Sequence, residues 1–208
     1  MKITVMTRLY PFIMKSVIKK QLSLHYSNTD VKNILSATNK EYINVVRRAP
    51  DIGGNKNVYL STYLMGAYLI ALYKKVRTEL SLDQMNEIIS NGLNDFSYMK
   101  KMMQKYDLLS SEYKQKVYKA GLWLEENKNK YPTNWLVSVK EIDNADLTHI
   151  VFERCGLYAL CKNEEVPEFT PCLCMTDYIT MSFANCNLER PTTLGSGDNG
   201  CDFYITRK

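Results

Sequence analysis

The sequence predicts an α+β fold in which a helical N-terminal portion packs against a small antiparallel sheet of about four strands formed by the C-terminal part. Apolar residues recur at helical spacing up to about residue 130, and the pattern alternates as in strands after Pro132. All six cysteines lie after residue 154. With 208 residues, of which 45% are hydrophobic, the chain is long enough to bury one core. We predict a single domain over residues 1–208, with a helical portion at 1–130 and a cysteine-rich portion at 131–208.

Five helices are predicted in the helical portion. The apolar residues that recur at helical spacing in the first are Tyr10, Ile13, Met14, Val17 and Ile18. The second is capped within residues 28–30 and stops before Pro50. The third, at about 57–79, is apolar over most of its circumference, so we expect it to be central. The capping box of residues 81–84 opens a fourth helix that continues through Met99, and a fifth begins near Ser110.

The cysteine-rich portion is predicted to contain four strands and two short helices. Residues 134–142 and 147–154 alternate as in strands, and the turn residues between them indicate a hairpin. The two helices are placed at about 156–162 and 172–184. The last two strands, at 187–190 and 201–206, flank a glycine-rich turn at 195–200.

Composition excludes several classes of function. The net charge of +5 is modest, and lysines and arginines alternate with acidic residues along most of the chain, so we expect no nucleic-acid partner. No secretory signal and no membrane-spanning stretch is predicted, and we expect no membrane partner. We therefore expect a cytoplasmic protein with reduced cysteines and a small-molecule substrate. A homodimer is consistent with a chain of this size.

Two cysteine-bearing segments contain the residue types that chemistry requires. Cys174 and Asp177 lie three residues apart in a predicted helix and therefore share a face. The glycine-rich turn leads into Cys201 and Asp202 at the start of a strand, where neighbouring side chains point to opposite faces. Thiols and carboxylates so placed are candidates for nucleophilic and acid–base catalysis.

These segments resemble the C-terminal signature of the L-2-amino-thiazoline-4-carboxylic acid hydrolase family. The resemblance covers about residues 148–206. The residues that match the signature are Cys155; Cys174, Asp177 and Tyr178; and Arg190, Thr193, Leu194, Gly197, Asp198, Cys201, Asp202 and Phe203. It implies hydrolysis of a carbon–nitrogen bond in a cyclic isothiourea, which is opened to a carbamoyl-cysteine.

The residue types suggest a role for each member of the resembling segments. Cys174 or Cys201 is the candidate nucleophile. Asp177 or Asp202 is the candidate partner of the amidinium group and proton carrier. Four further residues are predicted to bind substrate: Arg190, Thr193, Gly197 and Cys155. Arg190 is expected to hold the substrate carboxylate. The backbone N–H groups of residues 195–200 are expected to face an anion.

Three alternatives stay open at the level of sequence. The terminal segment also resembles small-molecule-binding domains of the vinyl-reductase type, which bind ligands without turnover. Cys155, Cys174, Asp177 and Cys201 are together a conceivable Zn²⁺ set, although their spacing is not that of a known zinc motif; the main prediction includes no cofactor. A pair between Cys201 and His149 is the third alternative.

Overall fold

The computed structural model describes all 208 residues as eight α-helices and four β-strands, and this confirms the predicted α+β class. The helices are α1 (Val5–Leu22), α2 (Asn28–Arg48), α3 (Leu60–Val76), α4 (Leu82–Asn94), α5 (Ser97–Met103), α6 (Ser111–Glu126), α7 (Gly156–Asn163) and α8 (Thr170–Phe183). The strands are β1 (Leu136–Lys140), β2 (Leu147–Arg154), β3 (Cys186–Glu189) and β4 (Cys201–Arg207).

Helix α3 lies at the centre of the helical portion, as its composition predicts. From Tyr63 to Tyr73 every residue except Met65 is buried, because α2 packs along one side of α3 while α1 and α7 pack against the others. Gly66 allows the close approach of α7, because a Cβ atom at this position would clash with Cδ2 of Leu157. One hydrophobic core of 44 buried residues continues from these helices into the sheet.

The helix boundaries follow from local capping, with three corrections to the prediction. The Ser81–Gln84 capping box is present, but the predicted fourth helix ends at Asn94 and a separate helix α5 starts at Ser97. Helix α2 is capped by Ser27, one residue before the predicted range. On α1, the five apolar residues at helical spacing do not share one degree of burial, because Ile13 is exposed and the other four are buried.

The four strands form one antiparallel sheet in the order β1-β2-β4-β3. In β4, Cys201, Phe203 and Ile205 are buried, whereas Asp202 and Tyr204 point to the other face. In the neighbouring strand β2 the side chains alternate between the two faces in the same way, with Thr148 and Ile150 buried. Helices α6 and α8 pack on the sheet, so it has one face toward the helices and one polar face.

A buried asparagine pair joins the helical portion to the first strand. Asn57 Nδ2 donates to Asn134 Oδ1 at 2.8 Å, and both side-chain amides donate to the carbonyl oxygen of Ile52. Asn134 Oδ1 also accepts from the backbone N–H of Trp135 at 2.9 Å. Because buried amides are stable only when hydrogen-bonded, this pair fixes the position of Trp135 relative to the start of α3.

A buried carboxylate connects α7 to the two long helices beside it. The Glu164 side chain is 1% exposed, and it accepts hydrogen bonds from Arg48 at 2.6 and 3.0 Å and from Lys74 at 2.9 Å. Burial alone would raise the pKa of Glu164, but these cations outweigh burial and hold the pKa below its ordinary value. Glu164 is therefore charged in the folded protein and anchors the end of α7.

No helix combines the length and the apolar character needed to cross a membrane.

Replacing Glu164 with alanine is expected to lower the free energy of unfolding by about 2–3 kcal/mol at pH 7, since Arg48 and Lys74 lose a buried partner. Because the folded-state pKa of Glu164 is lowered, its contribution is present at neutral pH and is lost as the pH falls through that pKa. Urea unfolding at pH 7 measures the loss. The exposed Glu153→Ala variant is the control, and an equal change in both variants would contradict the assigned role of Glu164.

Candidate functional site

A largely apolar cavity of about 230 Å³ lies between the helix-facing side of the sheet and helices α8, α6 and the start of α3. Its aromatic walls are Tyr59, Tyr113, Trp135, Phe152 and Phe203. The cavity also contains five of the residues that the sequence predicted for the site: Cys155, Cys174, Asp177, Arg190 and Cys201. The fold thus brings together groups that are as far as 46 residues apart in the chain.

Helix α8 contributes the carboxylate of the cavity. Cys174 and Asp177 lie one turn apart on the same face of α8, and both line the cavity, as their three-residue spacing predicted. Thr180 continues this face toward the end of the helix. Asp177 therefore stands on a rigid helix and not on a loop, which fixes the direction of its carboxylate.

Arg190 holds one oxygen of Asp177 and leaves the other free. Its Nη1 donates to Asp177 Oδ2 at 2.8 Å, and its Nη2 donates to the carbonyl oxygen of Cys174 at 3.2 Å. The guanidinium group lies between the rings of Tyr178 and Phe203, at 4.9 and 5.2 Å from their centroids. The Arg190 side chain is 4% exposed, and its Nε is buried without a hydrogen-bond partner.

The environment of Asp177 makes it a weak acid that titrates near neutrality. Burial in the cavity raises the pKa of Asp177 to about 6, and the charge and hydrogen bond of Arg190 lower it only in part. About a third of the Asp177 side-chain surface is accessible, and this surface lines the cavity. A carboxylate of this kind can take up and release a proton at physiological pH.

The three cavity cysteines are held as neutral thiols. Burial raises the pKa of Cys155 and of Cys174 to about 12, and it raises the pKa of Cys201 as well. Cys155 caps the N-terminus of α7, with Sγ accepting from the Tyr158 N–H at 3.5 Å, and Cys201 Sγ accepts from the Leu194 N–H at 3.3 Å. The lowered thiol pKa that activates a cysteine nucleophile is therefore absent from these three residues.

Asp202 lies on the opposite face of the sheet from the cavity. Its Oδ1 is 3.2 Å from His149 Nε2, and its Oδ2 accepts from the Thr192 hydroxyl at 3.0 Å. His149 stacks on Tyr204 on that same face. The alternation of β2 and β4 thus separates both Asp202 and His149 from Cys201, so the structure does not bring Asp202 to the predicted site and rules out a Cys201–His149 pair.

Thr193 and Gly197 also lie outside the cavity, in a loop that satisfies its own hydrogen bonds. The Thr193 hydroxyl caps a short 3₁₀ turn at Leu194–Ser196, and Gly197 ends this turn with a φ of 95°, a conformation that favours glycine. The backbone N–H groups of Ser196, Gly197 and Asp198 donate to carbonyl oxygens within the loop. Contrary to the expectation from the sequence, these three N–H groups are therefore not free to face an anion.

The helical portion supplies cavity residues that the sequence did not single out. Tyr59 stacks on Trp135 with ring centroids 5.0 Å apart, and Tyr113 of α6 reaches the same cavity. Burial raises the pKa of both phenols, to about 12 for Tyr113, and the nearby Asp177 charge adds to the shift. Both tyrosines remain neutral hydrogen-bond donors. Only the tertiary fold reveals them, since their spacing in the chain is also that of ordinary core residues.

The proposed zinc ligands line the cavity together but are not arranged as a metal site. No group of three or more histidine, cysteine, aspartate or glutamate side chains is placed to hold one metal ion. Arg190, which already binds Asp177, adds a fixed positive charge to this set. The donor set therefore does not fit the zinc alternative.

Comparison with known protein families gives a match that extends beyond the cysteine-rich portion into the helical portion. The model of a family described as L-2-amino-thiazoline-4-carboxylic acid hydrolase matches residues 62–205 of the 208-residue chain. The matched range runs from α3 to β4 and includes every residue that lines the cavity except Tyr59. Neither a curated protein nor a solved structure matches the chain.

Alkylation of the native protein is expected to be slow at Cys155 and Cys174, because a pKa of about 12 leaves very little thiolate at pH 7.5. Iodoacetamide should modify both at least about 100-fold more slowly than free cysteine, with rates still rising at pH 10. Peptide mass spectrometry measures the rates, and urea-unfolded protein, in which all six free cysteines react, is the control. Rapid labelling of Cys174 that levels off near pH 7 would contradict the assignment.

Proposed function

This chain belongs to the L-2-amino-thiazoline-4-carboxylic acid hydrolase family, and from that premise we propose that it opens a small cyclic amidine by adding water to the amidine carbon. The observation that carries the proposal is the Asp177–Arg190 ion pair in the wall of a largely apolar cavity. The proposed substrate is a zwitterion, with an amidinium group at one end of its ring and a carboxylate at the other. The Asp177 carboxylate can pair with the amidinium group, and the Arg190 guanidinium can pair with the substrate carboxylate.

The free oxygen of Asp177 is the proposed partner of the amidinium group. Arg190 occupies Oδ2, and no protein group hydrogen-bonds Oδ1, so this oxygen can accept from the exocyclic nitrogen or from an attacking water. The remaining N–H groups of Arg190, together with the Tyr59 and Tyr113 hydroxyls, are suited to the substrate carboxylate. Because the cavity is apolar, these few polar groups fix the orientation of the ring.

In the proposed reaction, Asp177 carries a proton and begins and ends as a carboxylate. It takes a proton from water as the oxygen bonds to the amidine carbon, and then delivers this proton to the ring nitrogen. The carbon–nitrogen bond breaks and its electron pair stays on nitrogen. The new carbonyl forms as the hydroxyl proton passes to the released amine, which becomes an ammonium group. The product is an S-carbamoyl cysteine with a free amine.

Water is preferred over a cysteine as the nucleophile in this proposal. Attack by Cys174 would first require proton transfer from a thiol with a pKa of about 12 to a carboxylate with a pKa of about 6, and this order of acidity opposes the transfer. General-base catalysis by Asp177 avoids a separate thiolate. The three thiols then act as small apolar walls around the ring sulfur.

Binding without turnover is the second candidate function. It is favoured by the neutral state of all three cavity thiols and by the aromatic walls, which suit a ligand-binding site as well as an enzyme. Calorimetric binding of the thiazoline with no ring opening over hours would support this function in place of the hydrolase.

Purified protein is expected to convert L-2-amino-thiazoline-4-carboxylic acid, with kcat/KM falling about tenfold per pH unit below pH 6 as Asp177 becomes protonated. Asp177→Asn should lower kcat by about 100-fold or more and abolish this acid limb. Asp202→Asn, which alters the other face of the sheet, should retain turnover. An acid limb that persists in Asp177→Asn would contradict the role of Asp177.

Analysis of the product identifies the bond that breaks. Rupture of the ring carbon–nitrogen bond gives an amine, whereas rupture of the carbon–sulfur bond gives a thiol that a disulfide reagent detects. Release of a thiol would overturn the carbon–nitrogen assignment and keep the ring-opening reaction. Dialysis against a chelator before the assay should leave turnover unchanged, and a loss that Zn²⁺ restores would favour the metal alternative.

Replacement of each cavity cysteine with serine tests the choice of nucleophile. Cys155→Ser, Cys174→Ser and Cys201→Ser are each expected to retain kcat within about tenfold, since water is the proposed nucleophile. Cys161→Ser, at a buried cysteine outside the cavity, is the matched control. A loss of about 1000-fold in one cavity variant alone, with its fold intact by circular dichroism, would identify that cysteine as the nucleophile.

A further inference from the structure

Helix α1 presents an exposed apolar face that no other part of the chain covers. Five of the thirteen exposed large hydrophobic residues of the protein lie on this one helix: Val5, Met6, Leu9, Phe12 and Ile13. Val5 and Phe12 are each 75% exposed. The opposite side of α1, with Met14 and Ile18, is buried in the core, so the orientation of the exposed face is fixed.

The charged side chains of α1 itself are all of one sign. Residues 1–29 contain no aspartate or glutamate. The cations of α1 are Arg8, Lys15, Lys19 and Lys20. An open groove on the outer side of the helix joins Phe12 to the three lysines. The nearest acid that pairs with them is Asp95, at 2.8 Å from Lys20, and it leaves Lys15 and Lys19 free.

From this arrangement we propose that α1 docks the protein on an anionic lipid surface. An amphipathic helix that combines exposed Phe and Leu side chains with flanking lysines binds in the plane of a bilayer, where its apolar side chains enter the acyl boundary and its cations meet lipid phosphates. The apolar face spans about 12 Å along the helix axis, which suits insertion at the surface and not a crossing.

A second copy of this chain fits the same face less well. Two α1 helices packed face to face would bring their lysines and arginines together, and α1 contains no acidic residue to compensate them. Nucleic acid would satisfy the cations but would leave five apolar side chains in water. An anionic bilayer satisfies both the charges and the apolar face.

This inference is independent of the proposed reaction. Helix α1 contributes no residue to the cavity, and it precedes the range that the family model matches. It differs from the expectation of no membrane partner, which considered only export signals and membrane-spanning stretches and not an exposed apolar helix face.

Flotation of the full chain with vesicles tests the proposal. We expect binding to vesicles rich in phosphatidylglycerol, little binding to pure phosphatidylcholine, and weaker binding at high salt. The double variant Leu9→Ser/Phe12→Ser and the charge variant Lys15→Glu/Lys19→Glu should each reduce binding by roughly tenfold or more. All four positions are exposed, so circular dichroism should be unchanged.

Matched controls come from α6, which likewise exposes an aromatic residue, a leucine and two lysines. Tyr118→Ser/Leu122→Ser and Lys116→Glu/Lys119→Glu should bind as the unaltered chain does. Equal loss in control and test variants, or no binding to anionic vesicles, would overturn the proposal. A dimer in sedimentation that Leu9→Ser/Phe12→Ser dissociates, with no vesicle binding, would assign the face to a second copy.

Discussion

The structure depends on one constraint, which is that the middle of helix α3 must be buried on nearly every side. From Tyr63 to Tyr73 its residues are apolar or aromatic around most of the helix, so other elements must pack against it from several directions. Helices α1, α2 and α7 meet this requirement, and Gly66 lets α7 come close enough to do so. The approach of α7 places Cys155, which caps that helix, in the cavity wall. The site therefore follows from the need to bury α3.

Much of the fold and part of the site could be predicted from the sequence, because they depend on local spacing. Helical spacing placed Cys174 and Asp177 on one face, and strand alternation placed Cys201 and Asp202 on opposite faces. The family resemblance, first seen in the last sixty residues, is confirmed over most of the chain. The fold class is confirmed as well, while the single-domain assignment and the roles of the site residues stay predictions.

The rest could not be predicted, because it depends on contacts between distant segments. Arg190 was assigned to a substrate carboxylate, and no spacing rule shows that it also binds Asp177 from the end of another element. The direction of the thiol pKa shifts depends on enclosure, which includes walls from Tyr59 and Tyr113. The exposure of Ile13 likewise depends on which side of α1 the neighbouring helices cover.

The cavity walls come from residues 59–203, and this has a consequence for how the protein folds. The Asn57–Asn134 contact joins segments 77 residues apart, so the walls meet only after a long loop has closed. A partly folded chain therefore has no binding site. A cavity ligand binds only the native state, and by mass action it stabilises the whole chain and not one portion of it. The fraction of the chain that is unfolded therefore falls as the concentration of a cavity ligand rises.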